Sequence, residues 1–585
     1  MERKLEMGRF NLLREPWINV VCDDNGTTKL VSLIDIFNNN EEYLDLAGDT
    51  KTQDFALLRI LLAVLHTVLS RFNSDGDVYD FVDVDERYKQ ISSVNSCDIN
   101  DYKADLLDTW VNVWNDKKFP KIICEYLYKW EDRFFLFDEK YPFMQVRKYD
   151  IRPEVLSKPS GSKFSGKTIN RLISESANKQ SLFSPKNEND RNLSKEILSE
   201  AEIARWLITL HGYIGLSDKV IFGEEKYKAS KGWLFDIGGV YLKGNNLFET
   251  LMLNCYLPCE YGENLKNSQR PAWEMESSEK IKSCLSDNII YNISELYTAW
   301  SRAIYINPDI DIDEPFYCEI VKLPEIIHKD NLLEPMTLWN YNGKDGDKDG
   351  VTPKKHIYNQ SLWRSFGLLT INEMNDTQIG KYRPGIINWL QEIKKVFFEE
   401  DYESLKCIKG IMAVSMESDG NATSWLPIGE NIDFLSIQDF ILTDVKEGGW
   451  TGKINDIIQN TKETVEKNYK NYLRDIARLR GLSDKQYDSF ITRNIEAVYF
   501  EIDKSFRRWL IGIKREDDKK VKENLWKSIL QKIVIKEAKK IYVAGGTRDF
   551  VGIEANKSIE NIAVIFNKFM MYMNVRFKKG GNNEF

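Results

Sequence analysis

The chain has 585 residues, of which 42% are hydrophobic and 29% charged, with a formal net charge of −9. That is the balance of a soluble globular protein, and the length exceeds what one hydrophobic core sustains, so two to four domains are expected. The acidic total argues against a protein that wraps DNA by bulk charge and leaves room for local basic patches.

The first residues, MERKLEMGRFNLL, place no apolar run behind their charges, so no secretory leader is expected. Within residues 10–35, PWINVVCDDNGTTKLVSL predicts a β-hairpin around the turn signal Asp24-Asn25-Gly26. Asp49 or Thr50 then opens an apolar helix at 55–69. Interrupted by Arg59 and His66, that run falls short of the ~20 residues a bilayer demands and reads as a buried core helix. A second helix follows near 101–118, and RFFLFDEKYPFMQV (133–146) reads as strand, turn, strand.

Residues 156–200 are rich in Ser, Lys and Asn and predict long loops. Between Lys158 and Lys186 six basic residues stand against one acid, a local +5 that suits a phosphate backbone and equally a solvated loop. Helices are expected at 200–212 and 246–257, with strands near 313–323 and 352–358. The lysine-bearing stretch 341–356 has acids, but neither the spacing nor the twelfth-position Glu of a calcium loop. Beyond about 430, four segments (451–482, 484–512, 520–541 and 555–575) show helical periodicity, as in Tyr499, Ile502, Phe506 and Leu510. GGTRD at 545–549 reads as a loop between the last two. The expected fold class is α+β: a large mixed α/β domain with long loops over 1–430, then a C-terminal four-helix bundle over 431–585.

Little points to catalysis. Of eight cysteines only Cys255 and Cys259 are close, as a lone C-x3-C, whereas structural zinc needs four ligands. Reduced thiols and a cytoplasmic location follow. In that compartment the N-x-S/T triplets at Asn192, Asn292, Asn359, Asn375 and Asn421 are chance matches rather than sugar acceptors. His66, His211, His328 and His356 form no paired motif, and no nucleophile elbow or Walker loop is present. His66 and His211, in apolar helices, read as core or interface residues. No cofactor, metal or enzymatic activity is expected; a metal nuclease assembled only in space is the alternative from another class.

Stretches in order along the chain resemble one family, the CasA large subunit of the type I-E CRISPR Cascade complex. They are FNLLREPWINV (10–20), DFALLRILLAVLH (54–66), YPFMQ (141–145), NKQSLFS (178–184), AEIARWLI (201–208), GGVYLKGNNLFETLMLN (238–254), PAWE (271–274), LYTAWSRAI (296–304), EPMTLW (334–339) and SLWRSFG (361–367). YFEIDKSFRRWL (499–510) continues the resemblance into the bundle. The large subunit of another type I subtype is the nearest alternative.

The resemblance implies a non-catalytic subunit that recognises the PAM of target double-stranded DNA from the minor groove and starts R-loop formation. It implies as partners the CRISPR guide RNA, backbone and small Cascade subunits and a helicase-nuclease effector, with no membrane. Family elements fall on the irregular stretches. Asn178, Gln180 and Phe183 match the guide-RNA loop, Phe183 either stacking on a base or anchoring the loop locally. Lys228, Ser230, Lys231 and Gly232 match a glycine-rich PAM loop of which one glycine survives. One of Lys344, Lys348 or Lys354 matches a minor-groove lysine. Gly420, Asn421 and Ala422 match a wedge hairpin, with the Asn421 amide entering the duplex, or else a plain turn.

Overall fold

The computed structural model describes the chain except residues 1–7, 40–41, 167–195, 217, 230, 259–267, 287, 327–333, 342–350, 371–372, 376–377, 382, 398–407, 421–426, 556–557 and 579–585. The fold is α+β in two compact units, Met1–Gln360 with Ile371–Phe434, and Ser361–Thr370 with Leu435–Phe585. The break expected at 430 falls between 434 and 435, and the short upstream piece 361–370 belongs to the second unit.

In the first unit the N-terminal hairpin forms as patterned, with Ile18–Val21 antiparallel to Thr28–Val31 and Ile18 opposite Val31. The Asp23 carboxylate closes its turn by accepting from the backbone N–H of Asn25 at 3.0 Å and Thr27 at 2.9 Å. The helix Lys51–Leu69 starts at Thr50, whose hydroxyl accepts from the Gln53 N–H at 3.2 Å. By length and composition alone this helix could cross a membrane, yet its apolar window is wholly buried. It packs on Glu200–Tyr213 and Ile293–Tyr297, as a helix that is apolar all round must. His66 and His211 lie in this core, and burial lowers their pKa values to about 3 and about 4.

RFFLFDEKYPFMQV departs from expectation. It supplies one strand, Phe135–Phe137, whose partner is Arg9–Asn11. Its second half is tied back as a turn: the Phe143 N–H donates to the Phe135 carbonyl at 2.9 Å, and the Gln145 amide to the Leu136 carbonyl at 2.8 Å. Asn292 is 5% exposed and caps Ile293–Tyr297, accepting from the Glu295 N–H at 2.8 Å, so it offers no site for a sugar.

Charges inside this unit are matched. Arg59 meets Glu334 through two hydrogen bonds of 2.8 Å, Arg71 meets Glu274 at 2.7 and 3.1 Å, and Arg302 meets Asp218 at 2.9 and 3.0 Å.

The second unit contains four long helical runs. The first passes from Trp450–Glu463 through a π turn, Thr464–Tyr469, into Lys470–Arg480; the others are Asp484–Ile511, Lys519–Val543 and Ile562–Lys578. Each packs on the next and the last returns onto the first, the neighbour order of an up-down bundle. The run expected to be helical from 555 begins later. Ile553–Ala555 and Ser558–Glu560 pair as a hairpin, and Asn561 caps the last helix by accepting from the Val564 N–H at 2.9 Å. GGTRD leads into a short helix, Thr547–Val551. Trp363, from the upstream piece, is fully buried beside Phe506, with ring centroids 4.4 Å apart, and its indole donates to Asp503 at 2.9 Å.

Candidate nucleic-acid interface

The strand Gly410–Ser418 neighbours Pro427–Leu435 in one sheet; of the stretch that matched a wedge, Gly420 follows the first of these strands, and Asn421 and Ala422 lie outside the described residues. The first strand also pairs with Gly239–Lys243, from Gly410 opposite Lys243 to Val414 opposite Gly239. The root is therefore a three-stranded sheet, and the residues beyond Val414 extend past that third strand. The second strand is fixed through Glu430, whose carboxylate accepts from the Thr52 N–H at 2.8 Å and the Lys51 N–H at 3.3 Å. An acid at the N-terminus of the buried helix satisfies orphan donors and meets the positive end of its dipole. Toward the tip burial falls away. Gly420 is exposed at φ +69°, with no atom of the described residues within 4 Å of where a Cβ would stand, a left-handed conformation that glycine adopts without steric cost.

The lysine segment 228–236 is held from behind. A Cβ on Gly232 would come 2.2 Å from the Gly212 carbonyl oxygen and 2.6 Å from the Tyr213 nitrogen, so the segment lies directly on the backbone at the end of Glu200–Tyr213. The next residue, Trp233, donates its indole N–H to Glu334 at 2.7 Å, joining the segment to the buried Arg59 pair. The single surviving glycine thus has an internal packing role. Lys228 is 83% exposed and pairs with Glu325. Lys231 is more enclosed, 2.5 Å from Asp236.

Lys355, which no sequence signal singled out, approaches the same Asp236 at 3.5 Å and lies 4.2 Å over the Phe235 ring. Burial pushes its pKa down and Asp236 offsets part of that shift, so a second anion nearby would stabilise its charge. Lys354 is half-buried and its backbone N–H donates to the Leu338 carbonyl at 2.8 Å. The neighbouring His356 ring bonds the Gly239 carbonyl at 2.8 Å, and its own carbonyl accepts from the Asn431 amide at 3.3 Å. Lys231, the 354–356 segment and the hairpin root are thereby brought together, although they are far apart in the chain. Asn178, Gln180, Phe183, Ser230, Lys344, Lys348, Asn421 and Ala422 lie outside the described residues. Among the described residues no group of three His, Cys, Asp or Glu side chains could hold a metal ion; Cys255 is buried and Cys259 lies outside them.

Residues 11–536 match the family model of CRISPR-associated protein Cse1. The chain is 28% identical over 275 residues to CRISPR-associated protein CasA/Cse1 of Thermus thermophilus, a match spanning 46% of this chain and 42% of that protein. Its fold is similar to that of Thermobifida fusca Cse1, with a TM-score of 0.73 at 21% identity and 98% of each chain covered. It is also similar to a chain of a CRISPR RNA-guided surveillance complex, with a TM-score of 0.60 at 14% identity, covering 96% of this chain and 99% of that one.

Proposed function

Because the chain belongs to the CRISPR-associated Cse1 family, we propose that it is the non-catalytic large subunit of a type I-E CRISPR surveillance complex, one that recognises the PAM in target double-stranded DNA and starts its opening. In this reading it works in the cytoplasm with guide RNA, backbone and small subunits, and helps to recruit the helicase-nuclease. The observation that carries the reading is the strand pair Gly410–Ser418 and Pro427–Leu435, rooted in a three-stranded sheet and tied to a helix N-terminus, with an exposed glycine in left-handed conformation, Gly420, just past its first strand. Unstacking a base step costs a few kcal/mol, and a tip can impose that distortion only if its base does not yield. Lysines beside the root would hold the sugar-phosphate backbone, while the minor groove offers A·T-versus-G·C readout to a polar tip.

Asn421→Ala in the assembled, guide-loaded complex is the test. Opening beside the PAM, followed by 2-aminopurine fluorescence, is expected to fall about tenfold or more, the loss of one good polar contact in a desolvated groove, while guide assembly stays at the wild-type level. Wild-type opening by the variant would refute the wedge role, and Mg²⁺-dependent cleavage of DNA by the purified chain would refute the non-catalytic reading.

The lysines separate by environment. The exposed pair of Lys228 with Glu325 is of a kind worth little in water, so this side chain is free to turn to a phosphate. Lys228→Glu is expected to weaken binding to all duplexes alike and to reduce the logarithmic salt slope by about one. An unchanged slope would exclude Lys228 from the DNA contact.

A further inference from the structure

Met144 and Gln145 border an internal cavity of about 20 Å³ in the first unit, with Arg133, Trp273 and Trp300 on its other sides. Three polar atoms on these lining residues have no hydrogen-bond partner among the described residues: Gln145 Oε1, Trp300 Nε1 and Arg133 Nε. Gln145 and Trp300 are only 2% and 4% exposed, so bulk solvent does not satisfy them. Turning the Gln145 amide over would not help, because its nitrogen already donates to the Leu136 carbonyl at 2.8 Å and the Phe143 carbonyl at 3.3 Å. Arg133 donates through a terminal nitrogen to Glu276 at 2.7 Å, while Asp132 stands 3.6 Å from its Nε, beyond hydrogen-bond reach. The cavity is thus bordered by residues offering two N–H donors and one acceptor.

Unmet polar groups in a protein interior are costly, and internal water, which needs on the order of 10–15 Å³ and makes about three hydrogen bonds, is the usual remedy. A cavity of about 20 Å³ holds one such molecule. The donor set also selects its occupant. A guanidinium and an indole N–H disfavour a metal cation, and the Gln145 carbonyl oxygen disfavours an anion, whereas water can accept twice and donate as well. We propose that this cavity binds one ordered water, which accepts from the Trp300 indole and Arg133 Nε and donates to Gln145 Oε1. That water ties the 141–145 turn to Trp300, which stands between Ile293–Tyr297 and Arg302–Tyr305. It also braces unfavourable backbone: Met144 lies at φ +52°, a left-handed conformation that a side chain disfavours. The Met144 carbonyl is bonded by the His211 ring at 2.9 Å, so imidazole and water hold adjacent residues of the turn.

The test uses the full-length chain with isotopically labelled tryptophan. In a water-selected Overhauser spectrum the Trp300 indole N–H, assigned by its disappearance in Trp300→Phe, is expected to show a cross-peak to water with the sign of a bound molecule. Gln145→Leu, which removes the acceptor, is expected to cut that cross-peak at least twofold. A crystal structure of the wild-type chain needs no variant and should show one water within about 3.2 Å of Trp300 Nε1, Gln145 Oε1 and Arg133 Nε. An assigned Trp300 indole without a water cross-peak would overturn the proposal. So would a crystal structure in which that N–H donates directly to a protein oxygen, or in which the density beside it is a metal ion or an anion. Neither measurement involves nucleic acid, so their outcome is independent of duplex opening.

Discussion

Glu274→Gln is expected to destabilise the first unit by about 3–5 kcal/mol, the cost of leaving a buried charge without its partner. Glu274 and Arg71 both have fully buried side chains. Burial opposes the Arg71 charge, and the Glu274 carboxylate more than compensates, raising its pKa. The carboxylate also accepts from the Tyr126 hydroxyl at 2.6 Å, and that oxygen accepts from the Trp273 indole at 2.8 Å. An amide keeps the shape, but removes the charge and turns one acceptor into a donor facing Arg71. Urea unfolding should show a lower midpoint at unchanged slope for the first unit's transition. A double replacement of Arg71 and Glu274 by Met should recover much of the loss, because removing both charges removes the mismatch. A shift below about 1 kcal/mol in the single variant would mean that water or another group reaches Arg71, contrary to its enclosure here.

Trp363→Ala should cost the second unit a similar amount, about 3–5 kcal/mol for an emptied indole site. The ring sits against Phe506, which in turn meets Trp526 at 5.0 Å and Trp509 at 5.4 Å, so its removal opens one end of an aromatic cluster. It also removes a hydrogen bond to Asp503. Burial works against that carboxylate, but hydrogen bonds from Arg507, Ser361 and Trp363 keep its pKa below the ordinary range. Hydrogen exchange is the informative measurement, since it reports each unit separately. Protection should fall in Asp484–Ile511 and stay unchanged in Lys51–Leu69, and Trp363→Phe should lose much less. Equal loss in both helices would contradict the assignment of residues 361–370 to the second unit.

Local chemistry made much of this fold legible. Thr50, Ser199 and Asn246 cap helices where the pattern placed their starts, because a cap acts within one turn of its own position. The Asp-Asn-Gly turn specified its hairpin for the same reason. Partners remote in sequence were hidden. Nothing near Phe135–Phe137 indicates that Arg9–Asn11 will pair with it, and nothing near Glu430 indicates a helix N-terminus almost four hundred residues upstream. Likewise, Lys355 looked like one lysine among several in its loop until the fold brought it to Asp236 and Phe235. Gly232 shows the converse. In the sequence it stood only as the surviving glycine of a lysine-bearing loop, and the surface it lies against is the protein's own backbone.

The Glu430 contact also has a mechanical meaning. A hairpin clamped at one end is a cantilever, and any load on its tip must be resisted where it is anchored. Here part of that load would pass through the Glu430 carboxylate into the first turn of Lys51–Leu69. A helix is stiff along its axis because its hydrogen bonds lie nearly parallel to it, and this one is braced on all sides by core. Glu430→Ala would leave the hairpin's strands in place but loosen their anchor, turning a rigid prong into a compliant one.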